Sequence, residues 1–170
     1  GDAQGNAAVE SMKIRIVAVG KLKEKYLLQG VAEYEKRLSP FASVELIETR
    51  EERMPESPSE AEKEDALKKE GANLLRLVPE KSFLIVLDVR GELLSSEALA
   101  EKIAALALQG KSDLTFLIGG AFGLSPAVRE RADLRISFSP MTFTHQMVRL
   151  LLYEQIYRAF KINRGEKYHW

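Results

Sequence analysis

Residues 83–119 read FLIVLDVRGELLSSEALAEKIAALALQGKSDLTFLIG, and this stretch decides the fold class. Phe83 to Leu87 is a continuous apolar run of strand length that stops at Asp88, and Leu114 to Ile118 is a second that stops at Gly119. Unbroken apolar runs suit strands buried on both faces, as in a parallel sheet. Between them Ala98, Leu99, Ile103, Leu106 and Ala107 recur at helical spacing. The segment therefore reads as a βαβ unit, for which a right-handed crossover is expected.

The flanking sequence extends the same alternation. Upstream, Ile14, Ile16 and Ala18 alternate with Lys13, Arg15 and Val17, and Gly20 ends this first strand. Tyr26, Leu27, Val31, Tyr34 and Leu38 form one apolar helical face that Pro40 closes, and Val44 to Ile47 reads as a second strand. Arg50 to Ser59, with Pro55 and Pro58 among charges, is a solvated connection. Ser59 and Glu62 form a capping box that launches a helix carrying Leu67, Leu74 and Leu75 toward Pro79. Downstream, Ser125 and Pro126 cap and open a short helix, Leu134 to Phe138 is a last strand, and Met147 to Ala159 has the apolar spacing of a long helix. No internal repeat occurs. The expected fold is a single α/β domain with a mostly parallel sheet flanked by helices.

Composition narrows the function classes. The chain has 170 residues, 45% of them apolar, enough for one domain with a sizeable core. Cysteine is absent, which removes disulfides, thiolate zinc sites and cysteine nucleophiles and fits a reducing, cytoplasmic setting. No run of eighteen apolar residues exists, so no membrane span is expected. Lys plus Arg and Asp plus Glu both total 25, and this neutrality argues on its face against a nucleic-acid binder. Residues 1–11, GDAQGNAAVES, are small and polar and read as an expression scar, leaving 12–170 as the domain. Without Asp2 and Glu10 the remaining chain is 0 + 2 = +2, with seven bases against three acids in 12–39 and nine acids against three bases in 45–65. A total near zero thus hides a sided molecule.

In open α/β sheets ligands bind beyond the carboxyl ends of the strands. Three such ends are unusual here: Leu87 to Gly91, Gly119 to Gly123, and Phe138 to Phe143. Each alone could be a tight turn; together they suggest a site. A dinucleotide fingerprint is excluded because the glycines run G-G-x-x-G and residues 134–148 hold no acid. Gly110, Lys111 and Ser112 imitate a phosphate loop, but Ala105 stands where its first glycine belongs. His145 and His169 are the only histidines, too few for a metal site. From Thr142 to Trp170, Arg149, Arg158, Lys161, Arg164 and Lys167 face only Glu154 and Glu166. Those bases, interleaved with tyrosine, histidine and tryptophan, suit either a solvated helix end or RNA contact.

The run Ile118-Gly119-Gly120, the stretch Ser137 to His145, and the ending Glu154 to Ile162 followed by Tyr168-His169 resemble the bacterial ribosomal RNA large subunit methyltransferase H family of the SPOUT superfamily. Ala18-Val19-Gly20-Lys21 and Tyr34 to Leu38 resemble it too, so the likeness spans 12–170. The resemblance implies a SPOUT fold with a C-terminal trefoil knot, a homodimer, and S-adenosylmethionine as donor. It implies methylation of N3 of a pseudouridine in large-subunit (23S) rRNA on the assembled ribosome. By position it assigns donor contact to Leu87, Gly119, Phe138, Ser139, Pro140, Met141, Thr142 and Phe143. His145, Tyr168 and His169 become candidates to orient the base or take its proton; His145 equally reads as a helix start. No metal or membrane is implied. The competing expectation is a non-catalytic ribosome- or RNA-binding module of the same fold.

Overall fold

The computed structural model describes residues 12–167. Five strands, β1 (Lys13–Val19), β2 (Ser43–Thr49), β3 (Phe83–Leu93), β4 (Asp113–Ile118) and β5 (Leu134–Ser137), alternate with five helices. These are α1 (Lys25–Leu38), α2 (Glu60–Arg76), α3 (Ser96–Leu108), α4 (Pro126–Arg131) and α5 (His145–Asn163). The sheet is parallel throughout, in the order β2-β1-β4-β3-β5. Among the described residues no helix is long and apolar enough to cross a membrane.

Strand parity divides the core in two, because successive side chains point to opposite faces. Ile14, Ile16 and Ala18 of β1 and Leu114, Phe116 and Ile118 of β4 pack against α1, α3 and α5. Val17, Val19 and Leu117 pack on the other face against Leu74 of α2 and Val128 of α4. The smaller face also takes a polar cluster at the amino ends. Buried Arg15 donates to Asp113 and to the Thr115 hydroxyl, each at 3.0 Å. Arg15 sits on this covered face because it carries its own counter-ion.

The capping box forms as expected: Glu62 N–H donates to Ser59 Oγ at 3.1 Å and Ser59 N–H to Glu62 Oε1 at 3.0 Å. Ser125 likewise accepts from Val128 N–H at 3.3 Å, with Pro126 opening α4. One strand is longer than expected. β3 does not stop at Asp88 but runs to Leu93, pairing with β5 first through Ile85–Leu87 and again, after a register shift, through Glu92 and Leu93. Gly91 allows this, since a Cβ there would lie 2.7 Å from the Arg135 carbonyl carbon and the Ile136 nitrogen.

Candidate active site

The Leu87–Val89 part of β3 and the carboxyl ends of β4 and β5 converge on one cleft of about 280 Å³. Leu87 within β3, Ile118 at the end of β4 and Ile136 near the end of β5 line it, with Phe138 of the following segment and Val148 of α5 adding apolar wall. Seven of the eight residues expected at the donor site line it: Leu87, Gly119, Phe138, Ser139, Met141, Thr142 and Phe143. Pro140 does not. Ser137 Oγ donates to the Ser139 carbonyl at 3.1 Å, and Met141 N–H donates to Ser139 Oγ at 3.0 Å, folding a turn whose corner puts Pro140 out in solvent.

The glycine run after β4 is a turn closed on itself. Gly123 N–H donates to the Gly120 carbonyl at 3.1 Å, and Gly123 has φ +95°, which an L side chain seldom adopts. A Cβ on Gly119 would stand 2.6 Å from the Gly123 carbonyl oxygen and 2.9 Å from Leu124 Cδ2. The space beside Gly119 is therefore occupied by its own turn. Glycine is required there first to let the loop fold back, and only through that to shape the cleft.

Asp88 lines the cleft with a side chain 1% exposed, a part that its place at the end of an apolar run did not disclose. Its Oδ1 accepts from Arg90 N–H at 3.0 Å, and its Oδ2 faces Arg129 Nε at 3.2 Å and Arg135 Nη1 at 3.4 Å. Burial pushes this carboxyl up, but the Arg90 amide and the Arg129 and Arg135 guanidinium groups overcome that and hold it below the usual range. Both oxygens are already engaged. Asp88 thus fixes this part of β3 against α4 and β5.

His145 is both helix start and cleft wall. It is the first residue of α5, behind Thr144, whose hydroxyl accepts from Met147 N–H at 3.1 Å. Burial lowers its pKa, as does the Arg149 charge, against an opposing pull from Glu51. The ring is therefore neutral at physiological pH and available as a proton acceptor. One turn on, fully buried Arg149 donates from Nη1 to the Gly20 carbonyl at 2.8 Å and to Glu48 Oε2 at 2.6 Å, and from Nη2 to the Val19 carbonyl at 3.0 Å. Glu48 Oε2 also accepts from Leu22 N–H at 2.8 Å. This clamp ties α5 to the carboxyl ends of β1 and β2.

Tyr168 and His169 lie outside the described residues, as do Trp170 and the leader 1–11. Of the five C-terminal bases, Lys167 is exposed and four are paired. Arg149 is spent in the clamp, Arg158 pairs with Glu154, and Lys161 and Arg164 pair with Glu166.

An all-parallel sheet, a cleft at three neighbouring strand ends and a last helix returning to the sheet centre place the protein among SPOUT methyltransferases, and residues 12–169 match the family model described as "Predicted SPOUT methyltransferase". The "Ribosomal RNA large subunit methyltransferase H" of Carboxydothermus hydrogenoformans is 56% identical over 158 residues, covering 93% of this chain and 99% of its own. That of Halothermothrix orenii is 54% identical over the same shares. The chain belongs to this methyltransferase family. Among solved structures, a "probable methylase family protein" from Haemophilus influenzae Rd KW20 shares the fold, with TM-score 0.50 at 17% identity over 89% of this chain and 66% of its own.

Proposed function

We propose that the protein transfers a methyl group from S-adenosylmethionine to 23S rRNA, at N3 of a pseudouridine on the assembled ribosome, as a cytoplasmic homodimer whose working domain is residues 12–170. The observation that carries the reading is the meeting of β3, β4 and β5 in one cleft, in a chain aligned along 99% of a relative named "Ribosomal RNA large subunit methyltransferase H". The same cleft weighs against the non-catalytic alternative, which has no need of it.

The residues fit such a donor. Leu87, Ile118, Ile136 and Phe138 offer apolar surface for an adenine ring, while the backbone of 119–120 and 138–142 offers amides and carbonyls for its polar edges. When bound, S-adenosylmethionine supplies an electrophilic methyl on a sulfonium. Asp88, Arg129 and Arg135 hold the loops that shape the cleft, and orientation of this kind accounts for several kcal/mol of a methyl-transfer barrier. His145, whose ring is neutral, shares with Tyr168 and His169 the task of orienting the target base or taking its N3 proton. Exposed Met141, Phe143 and Phe122 support a second copy packing near the cleft mouth. The return of α5 from the edge strand β5 to β1 supports the trefoil threading.

The test is incubation with donor and large ribosomal subunits that lack the mark. One methyl per subunit at a pseudouridine N3 is expected; well-folded protein that transfers none overturns the reading.

A further inference from the structure

A second cleft of about 390 Å³ opens at the carboxyl ends of β1 and β2, lined in part by Lys21, Lys23, Glu48, Arg50 and Glu51. We infer that this cleft seats the phosphate backbone of the RNA next to the target nucleotide, with Lys21, Lys23 and Arg50 as its cations. The inference rests on the rRNA reading above and adds the surface that positions the strand.

Charge carries the argument. Lys21, Lys23 and Arg50 are exposed and have no ion pair among the described residues, whereas the bases of the C-terminal helix are consumed internally. Glu48 is neutralised by Arg149, so three cations in the cleft face one uncommitted acid, Glu51, a balance of 3 − 1 = +2. Among the described residues no aromatic side chain lines the cleft, so these residues give no surface on which to stack a base. What it offers is contact for a phosphodiester, which positions a nucleic acid without reading its sequence.

Location makes the contact useful. A Cβ built on Gly20 would lie 3.6 Å from Glu51 Oε2 and 3.9 Å from His145 Nε2, so His145, a wall of the first cleft, borders the second. The loop is also held in place. Gly20 N–H donates to the Thr49 carbonyl at 2.8 Å, and Gln146 Nε2 donates to the Lys21 carbonyl at 3.4 Å. A strand lying in the second cleft would thus present its nucleotide across His145 into the first.

The experiment compares wild type, Lys21→Ala/Lys23→Ala and Lys21→Arg/Lys23→Arg with unmodified large ribosomal subunits, reading KM, kcat, donor affinity by calorimetry, and subunit affinity across a salt series. The alanine pair is expected to raise KM about tenfold with kcat and donor affinity nearly unchanged. It should also flatten the log affinity against log salt slope by roughly 1.4, about 0.7 for each lost single-strand phosphate contact, and the arginine pair should restore both. Equal KM and slope in wild type and the alanine pair overturn the inference, as does a loss of donor affinity in that pair. If wild type binds subunits but transfers no methyl, the rRNA-methylation reading fails and the salt slopes alone decide the cleft. If wild type does not bind them, both fall.

Discussion

His145 shows how one residue carries a structural and a chemical duty. Its place behind the Thr144 cap fixes its backbone, and burial keeps its ring neutral. If it takes the N3 proton, methyl transfer should be flat above its pKa and fall as pH drops through it, with that acid limb below the ordinary 6.5 because burial and Arg149 lower the value. Glu51 pulls the other way, so Glu51→Gln should move the limb to still lower pH. A pH–rate series on both proteins checks this, and an unmoved limb removes His145 from the proton path. Gly119→Ala is expected to abolish donor binding in calorimetry and to lower the melting temperature as well, since its methyl meets the Gly123 carbonyl at 2.6 Å. The strand-end residues were legible because a parallel sheet fixes where its ligands go. Asp88 was not, because its arginine partners lie 41 and 47 residues away and no local pattern announces them.

Elements meet at positions where a side chain is missing, and two glycines show that helix propensity does not decide the outcome. Alanine exceeds glycine in a helix interior by about 1 kcal/mol. In α1, a methyl on Gly30 would touch the flexible ends of Leu150 at 2.9 and 3.0 Å, which can turn aside. In α2, a methyl on Gly71 would strike Ser125 Oγ, a short buried side chain already capping α4. Gly30→Ala should therefore be neutral or stabilising and Gly71→Ala destabilising, as urea midpoints will show. The Arg149 clamp gives a second element-scale test. Arg149→Met strands the Glu48 carboxylate and two strand-end carbonyls, a loss of about 3–5 kcal/mol, while adding Glu48→Gln should recover part of it by removing the orphaned charge. Both helix caps and the βαβ unit could be read from local spacing. The extension of β3 to Leu93 could not, since Asp88-Val89-Arg90-Gly91-Glu92 carries the charges of a loop and becomes strand only through a partner that arrives at Arg135 and Ile136.

At the scale of the whole molecule, the neutral total of the sequence hides a small set of buried and paired carboxylates, and these set how stability responds to acid. Asp88 and Asp113 are held below their ordinary 3.8. In Asp113 burial raises the value, but the Ser82 hydroxyl, Arg15 and Lys81 outweigh it. Their contribution is present above 3.8 and is lost as pH falls through the lower folded values. Glu70 runs the other way. It is buried in α2 beside the Gly119–Gly123 turn and accepts from Glu52 N–H at 3.0 Å, yet burial, with Glu51 and Glu52 nearby, raises its pKa above 4.5. Its ionised form therefore costs the folded state stability at neutral pH, and the cost vanishes as pH falls through the folded value toward 4.5. Glu70→Gln keeps an acceptor for the Glu52 amide and removes the charge. The variant should have a higher urea midpoint than wild type at pH 7, the gap should close by about pH 4.5, and both proteins should then lose stability together below 3.8 as the two aspartates protonate. A gap that persists unchanged at pH 4 would mean that the glutamine acts through packing beside the turn and not through charge.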